Sequence, residues 1–119
     1  MRIAINGFGR IGKLVFRAFL EKKIRNVEVV AINELGGIDS SIHLLKYDSI
    51  HGVIPEKIKK TKDGIKVDNK NNIIFYSERD PNNLPWKSLK VDIVLECSGV
   101  FASKEKAISH INAGAKKVI

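Results

Sequence analysis

Three glycines placed directly behind a short apolar run constrain this chain more than any other feature of it. Ile3-Ala4-Ile5 suits the centre of a parallel sheet, and Gly7, Gly9 and Gly12 follow at the spacing G-x-G-x-x-G. At that spacing each glycine has a separate task. Gly7 permits a tight strand-to-helix turn, Gly9 lets a diphosphate reach the backbone without meeting a side chain, and Gly12 lets the next helix pack closely on the sheet. The helix N-terminus then offers amide groups and the positive end of its dipole to an anion.

The bare glycine pattern is common, so its context decides. A strand, a glycine turn, a helix, a second strand and an acidic residue about 20 positions on make the dinucleotide-binding arrangement. Ile11, Leu14, Val15, Ala18 and Phe19 recur at helical spacing, with Lys13, Arg17, Glu21 and Lys22 on the opposite side. A β-branched run, Val27 to Ile32, follows and closes on Asn33-Glu34. Glu34 therefore stands where a carboxylate would take the hydroxyls of an adenosine ribose. That charge also selects the cofactor: two unit charges about 4 Å apart at an effective dielectric of about 20 repel by roughly 4 kcal/mol, so a 2′-phosphate is disfavoured and NAD is expected over NADP.

The later segments continue the pattern. Asp39-Ser40-Ser41 is expected to cap a short helix through Ile42, Leu44 and Leu45, with His43 as an ordinary packed or half-exposed residue. Between Glu56 and Tyr76 the period changes to two, with turn signals at Asp63-Gly64 and 69–72, so a small antiparallel insertion at about 56–76 is expected. Ile73, Ile74 and Phe75 are its core contacts. Glu78-Arg79-Asp80-Pro81 reads as a turn, and Leu84-Pro85-Trp86 as the start of a helical turn ending near Leu89. Val91 to Glu96 is a further buried strand, and Cys97-Ser98-Gly99 a strand-end loop facing the ligand crevice. Ser103 is expected to cap a last helix carrying Ala107, Ile108 and Ile111, ended by Gly114 as its C′ residue before a strand at Lys117-Val118-Ile119.

The fold class expected is thus α/β, a Rossmann-type doubly wound, mostly parallel sheet forming one domain over residues 1–119. Composition excludes several other classes. With a single cysteine no internal disulfide can form, and neither an N-terminal apolar h-region nor a membrane-spanning apolar run is present, so a cytoplasmic protein is expected. A net charge of +8 raises nucleic acid as a partner, but the lysines are scattered, and the densest run, Lys57 to Lys62, alternates with Ile58 as a solvent-facing strand would. A solvated basic surface is the preferred reading. His51 has no second histidine or cysteine at ligand spacing, so no metal site is expected.

Ala4 to Gly12, read with Ala31-Ile32-Asn33-Glu34, resembles the opening of glyceraldehyde-3-phosphate dehydrogenases. So do 46–52 (KYDSIHG), 78–81 (ERDP), 97–101 (CSGVF) and 113–119 (AGAKKVI), and the resemblance covers the whole chain. It implies the NAD-binding domain of an enzyme that oxidises glyceraldehyde 3-phosphate with NAD and phosphate to 1,3-bisphosphoglycerate in glycolysis. Gly7, Gly9, Arg10, Ile11 and Gly12 would hold the diphosphate, Glu34 the adenosine ribose, Arg79 the adenine side, and Ser98 and Gly99 the nicotinamide side. Asn6, Phe8 and Asn33 complete the cofactor set.

The family's S-C-T-T-N nucleophile motif, its histidine base and its phosphate-binding residues do not occur in these 119 residues, so the catalytic domain is expected to be absent and no catalytic residue is assigned. Cys97 is read as a small buried hydrophobe, and His110 does not match the family's base. Alone, the chain is expected to bind NAD and catalyse nothing; the resemblance also implies a homotetramer and a triose-phosphate substrate for the complete enzyme. Asn33-Glu34-Leu35 departs from the usual Asn-Asp and is similar to erythrose-4-phosphate dehydrogenases, which are the enzymatic alternative. A non-catalytic dinucleotide-binding module is the other.

Overall fold

The computed structural model describes residues 1–22, 26–46, 58–67, 72–98 and 104–119. The His51 loop, Lys57, the second turn of the antiparallel region at 68–71, Gly99 and the expected cap Ser103 lie outside the described residues, as do the side chains of Glu21, Lys22, Leu44 and Leu45. In chain order the elements are β1 (Arg2–Asn6), α1 (Arg10–Lys22), β2 (Glu28–Asn33), α2 (Ile38–Lys46), β3 (Ile58–Lys60), β4 (Gly64–Val67), β5 (Asn72–Tyr76), a 3-10 turn (Pro81–Asn83), β6 (Ile93–Glu96), α3 (Lys104–Asn112) and β7 (Lys117–Val118).

Among the described residues the strands form one sheet in the order β3-β4-β5-β2-β1-β6-β7. From β5 through β7 neighbouring strands are parallel, while β4 pairs antiparallel with both β3 and β5. The chain leaves β1 toward β2 on one side and reaches β6 on the other, so the sheet reverses its winding at β1. Ligand crevices of open α/β sheets form beyond the strand ends at such a switch point. The antiparallel region is therefore an extension of the sheet edge, and its last strand, β5, is an integral parallel neighbour of β2.

Two apolar layers cover the sheet. Ile5 and Ile32 pack with Phe8 and Phe16 on the α1 side, joined by Ile58, Ile65, Val67 and Ile73 of the antiparallel ribbon. Ala4, Ala31 and Val94 face the other way, against Leu84, Trp86, Val91, Ala113 and Ala115. Each large side chain fully buried this way contributes about 1.5–3 kcal/mol. Residues alternating along β1 and β2 thus serve two cores, as a doubly wound sheet requires.

The helices differ in detail from the spacing argument. On α1, Ile11 is 59% and Leu14 39% exposed, whereas Gly12, Phe16 and Arg17 are buried. The reason lies at Gly12. A Cβ there would sit 2.2 Å from the Gly7 carbonyl oxygen, so this residue must face the turn, and the buried stripe runs from it to Phe16 one turn on. Of the expected face, Val15 packs on the core and Ala18 and Phe19 are half-buried, while Ile11 and Leu14 lie on the solvent side. On α3, Ile108 and Ile111 are exposed, and the buried positions are His110 and, just past the helix, Ala113.

α2 begins at Ile38, so Asp39 lies in its first turn and not at the cap; the Ser41 N–H donates to the Gly37 carbonyl, and Asp39 pairs with Lys60 at 2.8 Å. His43 is exposed. A 3-10 turn at Pro81–Asn83, with Asp80 as its cap, precedes the expected helical turn, which closes through the Leu89 N–H to the Pro85 carbonyl at 3.1 Å and continues with the Lys90 N–H to the Lys87 carbonyl at 3.2 Å and the Val91 N–H to the Trp86 carbonyl at 3.0 Å. The ends of β6 and α3 agree with the sequence: Cys97 N–H continues the pairing to the Asn6 carbonyl at 2.8 Å, and Gly114 follows α3 as its C′ residue.

Candidate functional site

The glycine turn is built of backbone. Gly7 has φ of +92°, and a Cβ on it would lie 2.5 Å from Ser98 Cα, in the main chain leaving β6. Gly12 is closed by the Gly7 carbonyl. Around Gly9 a Cβ would meet nothing within 4 Å. The two outer glycines are thus required by the protein's own packing, and the middle one faces open space, as a backbone that admits a diphosphate must. The Gly7 N–H donates to the Asn33 carbonyl at 2.8 Å, and the Lys13 N–H closes the first turn of α1 on the Gly9 carbonyl at 3.0 Å. The first N–H groups of α1 have no partner inside the helix, and its first turn carries no acidic residue, which suits an anion.

A crevice of about 360 Å³ lies on this turn, lined by Asn6, Gly7, Phe8, Gly9, Asn33, Glu34, Leu35, Glu78, Arg79, Pro81 and Ser98. Of the residues expected to hold a cofactor, the structure brings Asn6, Gly7, Phe8, Gly9, Asn33, Glu34, Arg79 and Ser98 together here. Arg10, Ile11 and Gly12 lie just beyond, in the first turn of α1, and Gly99 is outside the described residues. The Phe8 ring does not face the crevice. It is buried edge-on against Phe16 and Phe75, at centroid distances of 5.7 and 5.9 Å, so what Phe8 turns to the crevice is its backbone, whose N–H is held by Glu34.

Glu34 spans the turn. Its Oε2 accepts the Phe8 N–H at 3.0 Å and its Oε1 the Gly36 N–H at 3.3 Å. The carboxylate also borders a neighbouring hollow of about 510 Å³ whose wall includes Lys60, Lys62 and Tyr76. An ionised carboxylate only accepts hydrogen bonds, so a group with hydroxyls is welcome beside it and a phosphate is not.

Sequence reasoning named Asn6 and Asn33 for the cofactor but missed Glu96 and the polar row the three form beneath the crevice. In register across β2, β1 and β6 stand Asn33, Asn6 and Glu96. Asn33 Nδ2 donates to Asn6 Oδ1 at 2.7 Å, and Asn6 Nδ2 donates to Glu96 Oε2 at 2.7 Å. Asn33 also exchanges two hydrogen bonds with the Glu78 backbone, at 2.9 and 2.8 Å. Glu96 further accepts from His110 Nε2 at 2.7 Å and from the Ser98 hydroxyl. Burial alone would raise the Glu96 pKa, but the hydrogen bonds from His110, Ser98 and Asn6 outweigh it and hold the carboxyl at about 2. The one signal in the sequence was that Asn6, Asn33 and Glu96 each end an apolar strand.

Cys97 packs against the α1-side core, and burial, then the Glu96 charge, push its thiol above its ordinary pKa. A thiol so held is a poor nucleophile, in line with its structural reading. Among the described residues no helix is long and apolar enough to cross a membrane.

Comparison with known proteins agrees with this geometry. Residues 1–104 match the family described as glyceraldehyde 3-phosphate dehydrogenase, NAD binding domain. Glyceraldehyde-3-phosphate dehydrogenase of Thermotoga maritima is 53% identical over 118 residues, covering 99% of this chain and 35% of that protein. The proteins of the same name from Mycoplasma pneumoniae and Chlamydia pneumoniae are each 51% identical over 119 residues, covering 100% of this chain and 34% and 35% of theirs. The chain spans about a third of the length of the curated relatives it matches. A parallel sheet with its switch point at β1, a glycine turn open only at its middle glycine, and the match over residues 1–104 place this chain in the glyceraldehyde-3-phosphate dehydrogenase family, as its NAD-binding domain.

Proposed function

We propose that this domain holds NAD for a phosphorylating dehydrogenase that converts glyceraldehyde 3-phosphate and phosphate to 1,3-bisphosphoglycerate. The observation that carries the reading is the contrast among the three glycines: two are closed by protein backbone and one is open at the floor of the crevice. Bound NAD would supply the hydride acceptor. The chain's own residues bind and orient it. The turn amides and the N-terminus of α1, including Arg10, Ile11 and Gly12, take the diphosphate; Glu34 takes the ribose hydroxyls; Arg79 borders the adenine side; Ser98 and Gly99 border the nicotinamide side, with Asn6, Phe8 and Asn33 supporting the floor.

The thiolate that adds to the aldehyde, and the base beside it, come from outside residues 1–119, so this domain alone binds without turnover. Residues 1–119 form one domain, working in the cytoplasm and, in the complete enzyme, in a homotetramer acting on triose phosphate. Glu34 in place of the family's aspartate keeps the negative charge at the turn, which supports NAD over NADP.

Calorimetric titration with NAD and with NADP, on the parent chain and on Glu34→Ala, tests the reading. Preference for NAD should shrink by about tenfold or more in the variant, since the carboxylate's repulsion of a 2′-phosphate is removed. Equal affinity of the parent for both cofactors would overturn the assignment of Glu34.

A further inference from the structure

Behind the crevice the side chains form one directed chain of hydrogen bonds. Trp86 and His110 are both 0% exposed, stacked at 6.2 Å between ring centroids. The indole N–H donates to His110 Nδ1 at 3.0 Å, and His110 Nε2 lies 2.7 Å from Glu96 Oε2. An indole nitrogen can only donate, so Nδ1 is the acceptor, and the imidazole proton sits on Nε2, pointing at Glu96. From the crevice side Asn6 Nδ2, the Ser98 hydroxyl and, at 3.4 Å, the Ser98 N–H point at the same carboxylate. Glu96 does not line the crevice, whereas Ser98 and Asn6 do.

The direction of these bonds has a chemical result. A serine hydroxyl has one proton, and that of Ser98 is committed to Glu96. Toward a ligand its oxygen can only accept. Asn6 gives one of its two amide protons to Glu96 and its oxygen accepts from Asn33, so the Ser98 oxygen, with the Glu96 charge behind it, sets the polarity of this end. Resting on the NAD reading above, we infer that Glu96, held from behind by His110 and Trp86, is a positioning residue that makes the β6 end of the crevice an acceptor. That end admits a donor group of the dinucleotide, a ribose hydroxyl or a carboxamide, and turns phosphate oxygens away. The diphosphate is thereby confined to the glycine turn, and the cofactor can lie in one direction only. Helix α3, on the far face of the sheet, takes part in ligand recognition through His110 without touching the ligand.

The test uses titrations of the 119-residue chain with NAD and with AMP, which carries only the adenosine end. Glu96→Gln keeps the shape but presents an amide donor to Ser98, releasing the hydroxyl proton toward the crevice. It should weaken NAD by about tenfold while AMP changes by less than about twofold. His110→Phe should act like Glu96→Gln, and His110→Gln, which can both accept from Trp86 and donate to Glu96, should restore most of the loss. In the parent, nitrogen chemical shifts of His110 should report the neutral Nε2–H tautomer, and the indole N–H resonance of Trp86, the only tryptophan, should move on saturation with NAD.

Equal losses of NAD and AMP in Glu96→Gln would mean that Glu96 serves only stability and would overturn the inference. An Nδ1–H tautomer in the parent would overturn it without any variant having to fold. If the parent binds neither ligand, the NAD reading itself fails and this inference with it; if the parent binds both and Glu96→Gln binds NAD as well as the parent does, the relay alone fails.

Discussion

Two strand ends meet at the crevice, and they are built in different ways. After β1 the chain turns through glycines whose form is set by main-chain contacts, such as the 2.5 Å approach of a Gly7 Cβ to Ser98 Cα. After β6 the chain is held by a side chain, Glu96, which gathers hydrogen bonds from Ser98, Asn6 and His110. The first end is a matter of space and the second of charge and proton direction. Each is therefore sensitive to a different perturbation: the glycine turn to an atom added at Gly7 or Gly12, the Glu96 end to protonation.

The largest effect should follow from adding a methyl group at the first end. Gly7→Ala places its Cβ within 3 Å of three main-chain atoms of Cys97 and Ser98, at a φ of +92°. The backbone conformation alone costs about 1–3 kcal/mol, and the two strand ends must also move apart, so a total loss of at least about 3 kcal/mol is expected. Urea unfolding monitored by circular dichroism measures it. A loss below about 1 kcal/mol would show that the two ends are not in contact as described.

The second end should respond to acid. The Glu96 carboxyl titrates near 4.5 in an unstructured chain and at about 2 in the fold. A lowered folded pKa contributes stability that is fully present above the unfolded value and is lost as pH falls through the folded one, here from about 4.5 to about 2. Allowing for partial solvent screening, the contribution is about 2 kcal/mol. Asp92, whose carboxyl is lowered by the Arg2 N–H and then by Lys116, titrates in the same direction. The quantity to compare is therefore the difference in acid sensitivity between the parent and Glu96→Gln. Unfolding free energies at pH 6 and pH 3 should converge for the two proteins as pH falls, and parallel curves would remove Glu96 from the account.

The same division explains what could be read from the sequence. The glycine turn is legible because its constraint is local: a strand, three glycines and a helix occupy consecutive positions, and each glycine's task follows from its spacing. Glu34 was legible for a related reason, since β2 must return beside β1 and its end must reach the turn. Trp86, His110 and Glu96 are up to 24 residues apart in a segment where each residue alone reads as an ordinary helix, turn or strand-end residue. Only the packing of α3 and the Pro85–Leu89 segment on one face of the sheet brings them together. The faces of α1 and α3 were misjudged for a similar cause. Counting apolar residues placed Ile11, Leu14, Ile108 and Ile111 inward, while the glycine turn draws Gly12 inward and the Trp86–Glu96 pair draws His110 inward.

The smallest effect on stability, and the one that separates space from support most cleanly, should come from Gly9→Ala. Nothing lies within 4 Å of a Cβ there, and its φ is not in the left-handed region, so alanine can adopt the native backbone. Gly9 precedes the first residue of α1, a position where alanine is a slightly poorer cap, which sets the expected loss at no more than about 1 kcal/mol. The added methyl group does, however, occupy the space through which a diphosphate reaches the turn amides. NAD affinity should fall by about tenfold or more while the unfolding midpoint barely moves. Set beside Gly7→Ala, this variant asks whether one motif divides its labour between holding the fold and admitting the ligand. Unchanged NAD binding with an unchanged midpoint would place the diphosphate away from Gly9 and leave the turn as architecture alone.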